Sequence, residues 1–376
     1  MIKTCIWMNI PSHYQSAFFQ ALDARDDVDL SVVYFNGASS DRAAEGWNSG
    51  HEQKAYEIFA EGNTEPQKQV ERVEDWSNRV HIICGYFNEA LIDFFCKRDV
   101  RWCHWSEKPG IRLAELLGYH MSLFRLLYPF QLLAKRSYGA RIRNYALGAF
   151  GQGHLAKSAF QRMGVPAAKT ADLYYSPGPL SPAEPCRQMM DFAAGRKIFL
   201  MVGALCKRKG IDVLLKAFSR IENNREWCIV FCGLDKADGA YKALSEKLGI
   251  QDQVLFLGAY PIERISEVYC AADVFVLPSR FDGWGTVFNE AASLGVPLIG
   301  TDLCGGSWHL IREGRTGYRV RAASAKSMSD ALRKYINHPA DAEVHGQAAK
   351  ALFSAEFTPA RNAERFVTSL KLWGAQ

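Results

Sequence analysis

The chain has 376 residues, of which 48% are hydrophobic, and it carries a formal net charge of +5. At roughly 150 residues per domain, this length predicts two or three domains with packed cores. The positive charge is too small to indicate a nucleic-acid partner. Ten cysteines without a C-x-x-C pair favour a reduced, cytoplasmic protein and argue against a zinc site. Because neither a signal peptide nor an 18-residue apolar run is recognisable, we expect any membrane contact to be peripheral.

Apolar runs in the first half of the chain predict four strands. They cover residues 2–10, 30–37, 79–87 and 100–107. The segment 151–166 has the spacing of a short helix that stops at a glycine. The proline-rich stretch 174–185 predicts a linker between two domains.

Strand-like and helix-like segments alternate more regularly in the second half. The predicted strands are 197–203, 227–233, 254–258, 274–279 and 297–302. The predicted helices are 210–221, 239–249, 261–272, 286–295 and 324–338, and an amphipathic terminal helix follows at 357–373. This alternation predicts parallel βαβ units with right-handed crossovers, and therefore a doubly wound α/β domain over residues 190–352.

The expected place for a ligand follows from this topology. In open parallel sheets, ligands bind beyond the carboxyl ends of the strands. We expect two such domains, joined by the linker, to face each other across a cleft that holds a small molecule. The loops that follow the predicted strands are therefore the candidate sites.

The loop VGALCKRKG (202–210) places Arg208 and Lys209 just before a predicted helix. Backbone N–H groups and the helix dipole favour an anion at such a position. Arginine adds a bidentate donor and lysine a point charge, and the two together suit a phosphate. The alternative is a solvated basic turn without a ligand.

The segment SRFDGWGTVFNEAASLGVPLIGTD (279–302) places Asp282 and Glu290 on either side of a glycine turn. Gly283 and Gly285 allow a ligand to approach the backbone, and the following helix start suits a phosphate. The carboxylates would repel a phosphate, but each matches the vicinal hydroxyls of a sugar. A nucleotide sugar fits both features, because its diphosphate lies between a ribose and a hexose. The alternative is that Glu290 only stabilises the helix dipole.

Together with FLGAYPIERISEVYCAADVFVLPS (256–279), these loops resemble the donor-binding domain of the GT-B retaining glycosyltransferases of family GT4. Asp282 and Glu290 meet that family's pattern of an acid, seven residues and a glutamate. In the first half, NIPSHYQSAFFQAL, CHWSEKPG and RMGVP are similar to the acceptor domains of bacterial O-antigen and exopolysaccharide members. The resemblance implies a GT-B fold of two Rossmann-like domains. These are an acceptor-binding domain at 1–178, a donor-binding domain at 190–352, and a terminal helix at 353–376 that crosses back to the first.

The resemblance also implies roles for individual residues. Glu290 would bind the nucleotide ribose, Asp282 would contact the transferred sugar, and Arg208 and Lys209 would hold the diphosphate. The remaining donor-binding residues implied are Gly203, Gly258, Gly283, Trp284, Gly285 and Thr286. Two positions depart from the family pattern: Ala204 stands where arginine is common, and His309 stands where the glycine-pair loop usually ends in an acid. These departures bear on how the diphosphate is held and on which donor sugar is used.

Four residues of the first half are candidates for the reaction or for the acceptor. His104 and Glu107, three residues apart, end a predicted strand, and the resemblance places this strand end near the donor sugar. We predict that they act with Asp282 in catalysis. His13 and Tyr14, after the first strand, are predicted to lie on the acceptor side. The alternative for each histidine is a structural role inside its own domain.

The stretch 111–146 combines Leu, Phe and Tyr spacing with six basic residues. They are Arg112, Arg125, Lys135, Arg136, Arg141 and Arg143. This combination suits an interfacial helix on an anionic inner-leaflet membrane surface. The alternative is an ordinary amphipathic helix packed on its own domain.

The sequence as a whole predicts a retaining, metal-independent glycosyltransferase with no cofactor. It would transfer a hexose-type sugar from a UDP- or GDP-sugar to a glycan or lipid-linked acceptor in cell-surface polysaccharide biosynthesis. Two alternatives stay open: a GT-B sugar-nucleotide epimerase, and a non-catalytic subunit that binds a nucleotide sugar.

Overall fold

The computed structural model describes residues 1–36, 52–60, 65–86 and 88–375. The last residues of the predicted strands 30–37 and 79–87 lie outside the described residues. Contacts divide the chain into two compact units. The first comprises Met1–Pro109, Leu127–Gly178 and Thr358–Gln376, and the second comprises Gly110–Leu126 and Pro179–Phe357.

Strands and helices alternate along most of the chain. The strands are β1 (Ile2–Met8), β2 (Val28–Tyr34), β3 (Glu57–Phe59), β4 (Val80–Cys84), β5 (Trp102–Ser106), β6 (Gly148–Gly151), β7 (Thr170–Asp172), β8 (Lys197–Val202), β9 (Trp227–Cys232), β10 (Val254–Gly258), β11 (Val274–Leu277), β12 (Leu298–Thr301) and β13 (Gly317–Val320). The helices are α1 (His13–Asp23), α2 (Pro66–Val70), α3 (Glu89–Arg98), α4 (Ile111–Leu116), α5 (Met121–Ala134), α6 (Arg136–Tyr145), α7 (His154–Arg162), α8 (Arg187–Ala193), α9 (Ile211–Phe218), α10 (Ala240–Lys247), α11 (Ile265–Cys270), α12 (Val287–Ser293), α13 (Ser307–Leu310), α14 (Ala325–Asn337), α15 (Asp341–Glu356) and α16 (Pro359–Leu372).

The first unit is built on a seven-stranded parallel sheet with the order β3-β2-β1-β4-β5-β6-β7. Successive side chains of a strand point to opposite faces, so β1 contributes Ile6 to one core and Trp7 to the other. The terminal helix α16 packs in the first of these cores, where Phe366 stacks on Phe150 with ring centroids 5.2 Å apart. Asn362 of the same helix bonds both backbone groups of Tyr174. These contacts explain why the end of the chain groups with the first unit.

The second unit has a six-stranded parallel sheet with the order β10-β9-β8-β11-β12-β13. Its central strands are buried on both faces, as expected for a sheet with helices on each side. The strand order reverses between β8 and β11. Such a reversal separates the loops after two neighbouring strands and leaves a crevice at their carboxyl ends. The loops after β8 and β11 are the two that the sequence predicts to bind a phosphate and a sugar.

The predicted doubly wound α/β fold is confirmed in both units. In the second unit the five predicted strands and five predicted helices are present, with small differences at their ends. The sequence missed the short strands β3, β6, β7 and β13, and the helices α2, α3, α8, α13 and α15. The linker 174–185 has no helix or strand, and the boundary between the units falls within it.

The segment 110–126 does not follow the predicted domain boundaries. The sequence places it in the domain 1–178, whereas its contacts group it with the second unit. Arg125 donates to both carboxylate oxygens of Asp302 at 2.7 and 2.8 Å, and the ring of Phe124 meets that of Phe281 edge-on at 5.6 Å. The stretch 111–146 is three helices, α4, α5 and α6. No helix within the described residues is both long enough and apolar enough to cross a membrane.

Candidate active site

The loop after β8 carries the two predicted phosphate-binding cations. Lys207–Lys209 form one turn of 3-10 helix, and Gly210 then takes a φ of +73° before α9 begins. A Cβ atom on Gly210 would lie 2.2 Å from the carbonyl oxygen of Pro278. The glycine therefore lets this loop pack directly against the end of β11.

Arg208 and Lys209 both bond the acid of the neighbouring loop. Lys209 Nζ donates to Asp282 Oδ2 at 2.8 Å, and an Arg208 nitrogen donates to the same oxygen at 3.1 Å. The side chains of Lys209 and Asp282 are only 11% and 13% exposed, whereas that of Arg208 is 33% exposed. Because Lys209 and Asp282 are shielded from water, their attraction is screened less than that of a surface ion pair. The three groups form one cluster at the carboxyl edge of the sheet.

The glycine turn after Asp282 is held by close backbone packing. Gly285 has a φ of +82°, and a Cβ atom on it would lie 2.8 Å from Cys304 Sγ. A Cβ atom on Gly305 would lie 2.1 Å from the carbonyl oxygen of Gly283. Larger residues at these positions would push the turn away from the loop after β12. The turn is therefore fixed in place before a ligand arrives.

Trp284, between the two glycines, points into the unit and is 1% exposed. Its indole N–H donates to Asn289 Oδ1 at 2.8 Å, and its ring stacks on His309 with centroids 5.6 Å apart. His309 is the residue that departs from the family pattern, and it forms part of the wall behind the glycine turn. The side chain of Trp284 therefore supports the glycine turn from inside the unit. Its donor-binding role stays a prediction, which now concerns its backbone at the turn.

Glu290 lies one turn into α12 and bonds a tyrosine of the preceding helix. The hydroxyl of Tyr269 donates to Glu290 Oε2 at 2.5 Å. Burial raises the pKa of Glu290, while the hydrogen bond from Tyr269 and the positive charge of Lys209 lower it. Lys209 thus acts on both acids of the predicted motif: it bonds Asp282 directly and attracts Glu290 electrostatically.

The other predicted donor-binding residues also lie at this edge of the sheet. Gly203 follows β8 directly, Gly258 ends β10, and Thr286 precedes α12. The carbonyl of Gly258 accepts from the N–H of Gly233 at 2.8 Å, and a Cβ atom on Gly258 would meet no atom within 4 Å. Thr286 accepts backbone hydrogen bonds from Asn289 and Glu290. The second unit therefore brings all its predicted site residues to the carboxyl ends of its strands.

His104, in the first unit, is a buried residue with both ring nitrogens bonded. It is 0% exposed, its Nε2 lies 2.9 Å from Ser106 Oγ, and its Nδ1 lies 3.1 Å from the Tyr138 hydroxyl. Burial and the charge of Lys135 lower the pKa of His104 to about 3. Because the imidazole is enclosed and both its nitrogens are bonded within the unit, this geometry favours the structural alternative over the predicted catalytic role.

Glu107 and the predicted acceptor-side residues lie at the carboxyl edge of the first sheet. Glu107 follows β5 and is exposed. Burial raises the pKa of Tyr175, and the charge of Glu107 and its hydrogen bond to Tyr175 raise it further. Tyr14 is partly buried in the first turn of α1, after β1, and His13 begins this helix. Of the three predicted catalytic residues, Glu107 and His104 belong to the first unit and Asp282 to the second.

Comparison with known proteins finds a protein family that matches most of the second unit. Residues 186–352 match the family described as "Glycosyl transferases group 1". These residues are a glycosyl transferases group 1 domain. The match contains every predicted donor-binding residue, from Gly203 to Glu290.

Two relatives are similar to this chain over less than half of its length. The D-inositol 3-phosphate glycosyltransferase of Corynebacterium aurimucosum is 31% identical over 179 residues, which cover 46% of this chain and 42% of that protein. The lipopolysaccharide core biosynthesis mannosyltransferase LpcC of Rhizobium leguminosarum bv. viciae is 30% identical over 177 residues, which cover 45% of this chain and 49% of that protein. The chain thus spans about half the length of the curated relatives it matches.

A solved structure resembles the whole chain. Anabaena HepE, whose crystal structure is a complex with UDP, has a TM-score of 0.72 at 15% sequence identity. The likeness covers 99% of this chain and 100% of HepE. The chain therefore has the GT-B fold, as the sequence predicted.

The sequence missed several contacts that shape the glycosyltransferase domain. Tyr269 was not predicted, although it is the residue that bonds Glu290. Arg125 and Asp302, 177 positions apart, were not paired. A tyrosine in the predicted helix before β11 was the available signal for the first contact, whereas no sequence pattern signals the second. Among the described residues, no group of three or more His, Cys, Asp or Glu side chains could hold a metal ion.

Proposed function

We propose that this chain is a retaining, metal-independent glycosyltransferase. It transfers a hexose-type sugar from a UDP- or GDP-sugar to a glycan or lipid-linked oligosaccharide acceptor in cell-surface polysaccharide biosynthesis. The observation that carries the proposal is the cluster in which Arg208 and Lys209 converge on Asp282 while Lys209 also attracts Glu290. The group 1 domain, a relative named for lipopolysaccharide core biosynthesis and the UDP complex of HepE support it.

Each part of the cluster has a task in such a transfer. The sugar leaves a nucleoside diphosphate, so negative charge grows on the diphosphate as the glycosidic bond breaks. Arg208 and Lys209 are cations held in place at the carboxyl edge of the sheet, where they are partly shielded from water. They stabilise that charge without a metal ion. Asp282 holds both cations in place before the donor binds, and its carboxylate accepts hydrogen bonds from the hydroxyls of the sugar. Glu290 accepts hydrogen bonds from the ribose.

Retention of configuration is proposed from the likeness to the retaining family, on the motif formed by Asp282 and Glu290. The proposal assigns no protein nucleophile. The stereochemistry can be read directly by NMR of the anomeric proton in the first product formed. An inverted product would contradict this part of the proposal and leave the transfer itself intact.

The test of the proposed activity is release of nucleoside diphosphate from a panel of UDP- and GDP-sugars, with EDTA or Mg²⁺ and with a panel of glycan and lipid-linked acceptors. We expect one donor to turn over equally with EDTA and with Mg²⁺, and Arg208→Gln to reduce this turnover strongly. Lys326→Met is the matched surface control, because Lys326 pairs with Asp330 on the exposed face of α14. An isomerised sugar nucleotide formed without an acceptor would replace the proposal with an epimerase. Tight nucleotide binding without turnover would replace it with a binding subunit.

We also propose that α5 and α6 contact an anionic membrane surface. Leu126, Phe130 and Leu133 are 63%, 62% and 49% exposed, and their spacing places them on one face of α5. Arg136 and Arg143 are exposed on the adjoining helix α6. An apolar helical face beside exposed arginines suits anionic lipid, since the side chains enter the interface while the cations meet the headgroups.

Co-sedimentation with vesicles tests this contact. We expect binding to phosphatidylglycerol vesicles, little binding to phosphatidylcholine vesicles, and loss of binding when Lys135, Arg136, Arg141 and Arg143 become Glu. The variant Phe130→Ser tests the apolar part without changing any charge. Lys326→Glu is the control for charge reversal elsewhere. Unchanged sedimentation of the charge-reversed variant would refute the membrane proposal, and a self-association that replaces lipid binding would assign the face to a second copy of the chain.

A further inference from the structure

Tyr269 and Glu290 form a part-buried hydrogen-bonded pair that the proposed reaction leaves unexplained. Tyr269 is 0% exposed and belongs to α11, the helix that precedes β11 in the chain. Glu290 belongs to α12, the helix that follows β11. The 2.5 Å hydrogen bond between them joins two helices that are separated by β11 in the chain. A phenol bonded to a carboxylate makes a charge-assisted hydrogen bond, which is shorter and stronger than one between neutral groups.

The tyrosine ring is anchored independently of the hydroxyl. Its centroid lies 5.8 Å from that of Phe275 in β11, inside the apolar core of the unit. The hydroxyl position is therefore set by core packing and does not depend on Glu290. Among the described residues, Tyr269 is the only side chain that donates a hydrogen bond to this carboxylate. A fixed donor on Oε2 limits rotation of the carboxylate about its last bond and so fixes the direction of Oε1.

We infer that Tyr269 is a positioning residue that orients the Glu290 carboxylate toward the ribose hydroxyls of the donor nucleotide. This inference rests on the proposed function, because it needs Glu290 to bind ribose. Tyr269 itself does not touch the substrate in this account. A carboxylate that is already oriented loses less conformational freedom when the ribose binds, and hence binds it more tightly.

The bond also favours the ionised form of the carboxylate, because it lowers the pKa of Glu290. Three titratable groups from the elements around it act on Glu290 or feel its charge: Tyr269 from α11, Lys209 after β8, and Cys232 at the end of β9. Burial raises the pKa of Glu290 and the bond from Tyr269 lowers it, so removing the hydroxyl leaves the pKa higher. In Tyr269→Phe, nucleotide affinity should therefore fall at a higher pH than in the wild type as the solution is acidified.

The experiment compares UDP with 2′-deoxy-UDP by isothermal titration calorimetry, or GDP with 2′-deoxy-GDP if GDP binds more tightly. The wild type should prefer the ribonucleotide. Tyr269→Phe should lose roughly tenfold in affinity for the ribonucleotide and much less for the deoxynucleotide, since a hydrogen bond to a charged group is lost. Glu290→Gln gives the ratio expected when the carboxylate is absent. The matched control is Tyr335→Phe, which removes a buried hydroxyl that bonds His345 Nδ1 at 3.0 Å in the same unit.

The outcomes distinguish a failure of this inference from a failure of the proposed function. A ribose preference that falls in Tyr269→Phe and Glu290→Gln, but not in Tyr335→Phe, supports the inference. Equal loss for both nucleotides, or no loss, would show that Tyr269 is merely structural and would overturn it, while the ribose role of Glu290 stands. A wild type that binds no nucleoside diphosphate would overturn both the inference and the proposed function. A wild type that binds both nucleotides equally would overturn the inference and the ribose role of Glu290.

Discussion

The carboxyl edges of the two sheets carry different chemistry on the same architecture. In the second unit, a charged nitrogen of Arg208 and that of Lys209 lie 3.1 and 2.8 Å from the same carboxylate oxygen of Asp282. In the first unit, several uncharged polar side chains near the ends of β5 and β6 bond each other. The indole of Trp105 donates to Gln152 Oε1 at 2.7 Å, and His104 bonds two hydroxyls.

This difference shows how one fold divides two tasks. A cluster with two cations and partly buried carboxylates is costly to assemble unless a charged ligand uses it, because removing charges from water opposes folding. Neutral groups that satisfy one another stabilise their own unit. We therefore expect the charge of the ligand to be met at the carboxyl edge of the second unit.

The largest effect is expected from Lys209→Met. This change removes the cation that bonds Asp282 and attracts Glu290, while the methylene stem is kept. We expect kcat/KM to fall about 100- to 1,000-fold, the usual effect of losing one preorganised group that stabilises developing charge. The measurement is nucleoside diphosphate release, with Lys326→Met as control. Equal activity of the two variants would place the charge chemistry elsewhere.

Asp282→Ala should separate binding from turnover. The variant frees Arg208 and Lys209 from their counterion, so UDP should bind as tightly as in the wild type or more tightly. The sugar loses its contact, and we expect turnover to fall about 100-fold. Calorimetry and steady-state kinetics on the same preparation give both values. Full activity, above all in the double variant with Glu290→Ala, would refute the assignment of the site.

Gly210→Ala tests whether the loop must approach the end of β11. Its new Cβ would lie 2.2 Å from the carbonyl oxygen of Pro278, at a φ of +73°. We expect the free energy of unfolding to fall by about 3 kcal/mol, from backbone strain and overpacking together. Gly239→Ala is the matched control, since Gly239 has a φ of +79° and open space around it. Urea unfolding that gives the same loss for both variants would show that only the backbone angle matters.

The smallest effect concerns two buried histidines of the first unit. Burial lowers the pKa of His104 to about 3 and that of His81 to about 4, below the unfolded value of 6.5. At a pH between the folded and unfolded pKa values, the histidines bind protons in the unfolded chain but not in the folded one. Their contribution to the free energy of unfolding is therefore fully present above pH 6.5 and is lost as the pH falls. From pH 7.5 to 5.5 each histidine should cost about 1 kcal/mol.

The check is urea unfolding at the two pH values. His104→Gln should lose about 1 kcal/mol less stability on acidification than the wild type, and His120→Gln, at an exposed position, is the substitution control. An unchanged pH dependence in His104→Gln, together with a loss of turnover at pH 7.5, would restore the predicted catalytic role of His104.

The second unit could be predicted well because its signals are local. The strand β8 is a continuous apolar run, and the loops after β8 and β11 contain glycines at the positions where the backbone needs positive φ. The first unit gave weaker signals. The strand β6 is only Gly148–Gly151, a four-residue segment with two glycines that carries no periodic pattern.

The contacts that could not be predicted from the sequence join residues that are far apart along the chain. Tyr269 and Glu290 are 21 residues apart, and Arg125 and Asp302 are 177 apart. No single sequence pattern records which of many tyrosines or arginines meets a given acid. For the same reason, the sequence assigned 110–126 to the first domain, although its contacts belong to the second unit.

The most direct test of the central claim is a thermal-shift measurement with UDP, GDP, ADP and TDP, each with and without Mg²⁺. A ligand that binds only the folded protein stabilises it by roughly 2.7 kcal/mol at a hundred times its Kd. The account predicts a clear shift for UDP or GDP that is indifferent to Mg²⁺ and is lost in Glu290→Ala. If no nucleotide shifts the unfolding temperature, the cluster of Arg208, Lys209 and Asp282 is a structural ion pair and the charged edge does not bind a nucleoside diphosphate.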